Sequence, residues 1–117
     1  MDNENKSIAG NVRWLAQVIF GILLVLLLSV HLIANHWAAP QGLLSYADII
    51  HYYEFPGIAS MEAVFLIVVT SHCILGLHGI LLDIDLPPNI TRTGTRILIT
   101  LGIAAVLYGI WLIIRIG

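Results

Sequence analysis

The sequence predicts an all-α integral membrane protein with three transmembrane helices, and three observations carry that reading. Of the 117 residues, 59% are hydrophobic and 10% charged, whereas a soluble domain carries roughly 25% charged residues. A chain this short has too much surface for its volume to hide the deficit in a globular core. The apolar residues also gather into three runs, each near the roughly 20 residues that cross a hydrocarbon layer at about 1.5 Å per residue. A lipid bilayer is therefore the expected solvent. The net charge of −2 is small, and no basic run suggests a nucleic acid partner. One cysteine, Cys73, excludes an internal disulfide and any zinc-type cysteine spacing.

The chain reads as a single domain, 1–117. Met1 to Gly10 is polar, contains Asp2 and Glu4, and has neither a basic, apolar-cored leader nor an Arg-rich presequence. It reads as a mature cytoplasmic tail. The first span covers about 14–35, with no charge inside it. Pro40-Gln41-Gly42 is a turn signal. Leu43, Leu44, Ala47, Ile49 and Ile50 then recur at helical spacing beside Asp48 and His51, which predicts a short outer-surface helix over about 43–53. Pro56-Gly57 ends it. The second span covers about 60–82 and the third about 95–115. The stretch from Asp83 to Arg96, with Pro87-Pro88, reads as a polar, compact docking loop. All three spans must be helical, because three segments cannot close a barrel in lipid.

Basic residues orient the spans. Lys6 and Arg13 precede the first, and Arg92 and Arg96 lie between the second and third. Trp37 to Glu62 contains no Lys or Arg. The positive-inside rule then places the N-terminus and second loop in the cytoplasm. Arg115, at the far end, is the exception. Trp14 falls at the inner interface, and Trp37, Tyr52, Tyr53, Phe55 and Trp111 fall near the outer one.

The informative residues are histidines within the spans, since an ionisable group at membrane depth is costly and by default functional. Gln17, Gly21, Leu24, Leu28, His31 and Asn35 follow 4-3-4-3-4 spacing and share one helix face. His72, Gly76, Gly79 and Asp83 follow 4-3-4 spacing on another. The two glycines beside His72 make a flat groove, which either a second helix or a porphyrin edge can fill, and neutral imidazole is a common ligand of haem iron. His31 lies about 27 Å above Arg13, and His72 about 16 Å above Asp83. The difference, on the order of 10 Å, argues against one shared iron. Each would need a partner from another chain. The plainer alternative for either histidine is a hydrogen bond to a neighbouring helix. His78 lies about 120° around the helix from His72 and can face a haem propionate, lipid headgroups or another subunit. Gly102, Ala105 and Gly109 suit close helix approach on the third span.

The segment from Ser71 to Asp83 resembles the second helix of the cytochrome b anchor subunits of succinate:quinone oxidoreductase (succinate dehydrogenase, complex II). That family carries a haem-ligating His, a Gly four residues on and an Asp eleven residues on; here these are His72, Gly76 and Asp83. Arg13-Trp14-Leu15-Ala16-Gln17 with Gly21 looks like the opening of the family's first helix. His31 with Asn35-His36, then Gly42 to Tyr46, is similar to the two-haem, two-anchor branch. The resemblance covers about residues 11–114.

The absence of a presequence favours a prokaryotic cytoplasmic membrane, and the resemblance implies that the chain is half of a heterodimeric helical anchor. It implies one or two b-type haems shared with a second anchor subunit, His72 ligating the proximal haem iron and His31 the distal one. It implies docking of a flavoprotein and an iron–sulfur subunit, and transfer of electrons from succinate to membrane quinone. Arg13, Gln17, His78 and Asp83 are its candidate neighbours of quinone or propionates. Two departures bear on the quinone assignment: Ile84 stands where some anchors carry an aromatic, and His78 where some carry Arg. Alone, the chain would catalyse nothing. The alternatives are an anchor of fumarate reductase or another quinone-linked dehydrogenase, and a haem-free structural subunit. A small transporter is disfavoured, because the sequence has no inverted repeat and no broken helix.

Overall fold

The structure, a computed structural model, describes residues 1–39 and 41–117, so the turn expectation at Pro40 lies outside the described residues. Four helices follow in order: α1 (Asp2–Ala38), α2 (Tyr46–Tyr53), α3 (Ile58–Asp83) and α4 (Pro88–Ile116). No strand occurs among the described residues. Helices α1, α3 and α4 are long and apolar enough to cross a membrane, and α2 is a short helix between the first two.

The helices outrun the apolar runs that reveal them. Helix α1 has 37 residues and so rises about 55 Å, well beyond a hydrocarbon layer of about 30 Å. The polar stretch from Asp2 to Gly10, read as a tail, is thus helical. A helix satisfies its own backbone in water as in lipid, and Asp2 and Glu4 in the first turn complement its dipole. Helix α4 begins at Pro88, because a proline in the first turn gives up an N–H that no helical carbonyl would accept. Arg92 and Arg96 therefore belong to the first turns of α4, and the expected polar loop shrinks to Ile84–Pro87. Asp85 turns the chain there with a left-handed φ of 58°. Thr93, Thr95 and Thr100 settle into α4 by bonding the carbonyls four residues back, at 2.9, 2.9 and 2.7 Å.

Helix α2 starts later than the apolar pattern suggests. The Ser45 hydroxyl and the Asp48 carboxylate cap each other's backbone N–H in a capping box. That fixes the first helical residue at Tyr46 and leaves Leu43 outside, fully exposed.

Helix α3 packs against both α1 and α4. On the α4 side, Gly94, Gly102 and Gly109 receive the side chains of Leu81, Ile74 and Leu66; a Cβ at Gly102 or Gly109 would collide with Ile74 or Leu66. Ala105, expected on the same stripe, is exposed. On α1, Leu28 is exposed while Leu27 is half-buried, since 3.6 residues per turn shifts a helix's buried row by one position over a few turns. No side chain among the described residues is fully enclosed. The apolar surfaces of α1 and α4 remain outward all round, as in a chain covered by lipid or neighbouring helices.

Candidate functional site

The functional geometry lies along the α1–α3 seam, where two antiparallel helices bring two separate polar centres together. The first is at the end of the seam nearest the α3–α4 connector. An open groove of about 410 Å³ is lined there by Arg13, Trp14 and Gln17 of α1 and by Gly76, His78, Gly79 and Asp83 of α3. Glycine makes the groove possible. A Cβ at Gly79 would meet nothing within 4 Å, and one at Gly76 would stand 3.1 Å from Gln17 Nε2. Trp14 forms an apolar wall, while Arg13, His78 and Asp83 offer donors and an acid at its mouth. Five of the seven residues singled out from the sequence thus share one groove: Arg13, Gln17, Gly76, His78 and Asp83.

His72 lies one turn further along α3, with its Cε1 3.5 Å from where a Cβ on Gly21 would be. Its Nδ1 is buried with no hydrogen-bond partner, and so is Oε1 of Gln17. Buried polar atoms are nearly always paired, so two orphans one turn apart mark a place built for something further. His72 Nε2 has no partner among the described residues either, yet is not enclosed. An imidazole with an uncommitted nitrogen, one turn from a glycine-lined groove, is a side chain that would suit haem iron.

The second centre lies ten residues away on each helix, because the register that sets Gly21 against His72 also sets His31 against Glu62. His31 Nδ1 stands 2.8 and 3.0 Å from the two Glu62 oxygens. The Tyr52 hydroxyl of α2 donates to Glu62 Oε1 at 2.7 Å. A carboxylate can only accept, so it matches a phenol O–H and an imidazole N–H together. With Nδ1–H given to Glu62, the Asn35 amide nitrogen 3.3 Å away cannot donate there; it bonds the His31 carbonyl at 2.7 Å instead. Phe65 stacks on the imidazole at 4.9 Å between ring centroids. His31 is therefore held firmly, with Nε2 left over. By helical rise it stands about 15 Å from the His72 level.

Sequence reasoning did not single out Glu62, Phe65 or the Tyr52 hydroxyl. Glu62 sits at the edge of its apolar run, where an acid reads as the end of a loop. Pairing the two histidine faces antiparallel, with His72 opposite Gly21, would have set it against His31. Tyr52 is out of reach of that argument, since its placement depends on how α2 folds back. Cys73 lies exposed, off this seam.

No protein-family model matches the chain, and no solved structure matches it. The chain is 30% identical over 112 residues to the succinate dehydrogenase hydrophobic membrane anchor subunit of Archaeoglobus fulgidus, an alignment that spans 95% of this chain and 94% of that protein.

Proposed function

The chain belongs to the family of succinate dehydrogenase hydrophobic membrane anchor subunits, and from that premise we propose that it binds haem b and helps carry electrons from succinate to membrane quinone. The observation that carries the proposal is the orphaned pair, His72 Nδ1 and Gln17 Oε1, beside the glycine-lined groove. A second anchor subunit would supply the other axial ligand, and a flavoprotein and an iron–sulfur subunit would dock at the connector end. That end is cytoplasmic in this reading, because Lys6, Arg13, Arg92 and Arg96 cluster around it.

Haem, when bound, supplies one-electron storage at membrane depth. This chain's own residues position it and handle charge. His72 would offer an imidazole nitrogen to the iron, and Gly76 and Gly79 would leave room for the edge of a wide planar group. In the groove, the Arg13 guanidinium can donate to a quinone carbonyl oxygen, where negative charge develops on reduction. His78 stands by as a second donor. Asp83, exposed at the groove mouth, can pass protons from water. Trp14 gives the ring an apolar face.

At the His31 level the bond to Glu62 is equally compatible with a second reading, in which His31 only ties α1 to α3. A dithionite-reduced minus oxidised spectrum of the purified complex, with haem quantified per copy of this chain, tests both. Two b-type haems support His72 and His31 as ligands to separate irons. One haem retains His72 alone, and none leaves a structural anchor.

A further inference from the structure

We propose that Glu62 is a positioning residue for His31: it holds the imidazole in the tautomer that presents Nε2 to iron and lowers the potential of the haem ligated there. The inference rests on the haem reading of His31 given above and goes beyond it to the group behind the ligand.

Among the described residues Glu62 is the one buried charged or polar residue, 9% exposed, and a carboxylate in a membrane span is retained only where it is paired or used. It makes two close contacts to one nitrogen, His31 Nδ1, at 2.8 and 3.0 Å. It lies on a different helix, so the contact is not a by-product of local sequence. Two groups hold the ring, Glu62 at Nδ1 and Phe65 against its face, while Asn35 bonds the backbone carbonyl of the same residue. This arrangement leaves one ring nitrogen, Nε2, uncommitted. A histidine that ligates a metal usually donates its other N–H to a carboxylate or carbonyl, which fixes its orientation and raises its basicity. A more basic imidazole stabilises the ferric state, so the potential falls. Tyr52 then acts as a moderator. Its hydroxyl donates to Glu62 Oε1 at 2.7 Å and draws off part of the carboxylate's accepting strength.

The test is a potentiometric titration of the haems in the purified complex, with low-temperature electron paramagnetic resonance of the ferric form. Five forms are compared: the parent, Glu62→Gln, Glu62→Asp, Tyr52→Phe and His31→Ala. Glu62→Gln is expected to keep the haem count, raise the midpoint potential of one haem, shift that haem's largest g value and leave the other haem unchanged. Glu62→Asp should recover part of the shift. Tyr52→Phe should move the same haem the opposite way, to lower potential, because the carboxylate loses a competing donor. A role confined to packing would not give shifts of opposite sign. If Glu62→Gln does not assemble, the sign in Tyr52→Phe decides alone. Unchanged potential and g values in a complex whose His31→Ala form lacks one haem would overturn the proposal alone. A His31→Ala complex with undiminished haem would overturn both it and the reading beneath it.

Discussion

Gln17 reaches across from α1 and lays its amide nitrogen 3.1 Å from the point where a Cβ on Gly76 would stand. The two residues thus measure the width of the groove. Alanine is favoured over glycine inside a helix by roughly 0.5–1 kcal/mol, and a flexible amide can give way by a few tenths of an ångström. Gly76→Ala should therefore change thermal stability by less than about 1 kcal/mol, while displacing Gln17. Gly76→Leu should fill the groove. Quinone reduction by the assembled complex is expected to fall in the order Gly, Ala, Leu at this position. Cys73→Ala, at an exposed position off this seam, serves as the tolerated control. Equal rates in all four proteins would remove the groove from the quinone path.

The α3–α4 seam behaves differently, because its glycines are filled rather than open. A Cβ at Gly102 would collide with Ile74, so Gly102→Val must push the helices apart, at a cost of about 1–3 kcal/mol for overpacking. Adding Ile74→Ala should recover much of that loss, since residues in contact are not additive. Thermal unfolding in detergent checks it. Additive losses in the double variant would mean that the two positions do not share a contact.

Much of this arrangement is legible in the sequence, and the parts that are not have physical reasons. Spacing alone places His72, Gly76, Gly79 and Asp83 on one face, and the apolar runs announce three spans. Hydropathy marks the apolar stretch rather than the helix. Hence α1 extends back to Asp2, beyond the span read from about residue 14, and α4 back to Pro88, beyond the span read from about 95. Lipid thickness does not stop a helix; the next capping or turning residue does. Glu62 is missed because a lone acid at a span boundary looks like solvated loop until the opposing helix is in register. The orphaned atoms of His72 and Gln17 cannot be read from sequence at all, because they depend on what the neighbouring helix fails to provide.

The two histidines should part company in haem content. His72 is level with Gly21 and His31 is level with Glu62, about 15 Å apart along the seam, too far to share one iron. His72→Ala is expected to lose one haem per complex and His31→Ala a different one, each leaving the other's absorbance and potential intact. Loss of the same haem from both variants would sink the argument from depth.

Tyr52 gives the bundle an alkaline limit. Burial, and then its hydrogen bond to Glu62, raise the Tyr52 hydroxyl above its ordinary 10.0. A value raised in the folded state means that the hydroxyl's stabilising share is fully present below pH 10.0 and fades as the pH climbs towards the folded value. The sign follows from the chemistry: a phenolate cannot donate, and it would stand against a carboxylate in a nearly dry site. In the folded protein, the phenolate absorbance lost on Tyr52→Phe should therefore appear only well above pH 10. Its appearance should coincide with loosening of α2 from the seam, seen as faster backbone amide exchange around Tyr46–Tyr53. Tyr52→Phe should lose the alkaline step and be less stable than the parent below it. Ionisation of Tyr52 at or below its ordinary value would show that the hydroxyl is not held by Glu62.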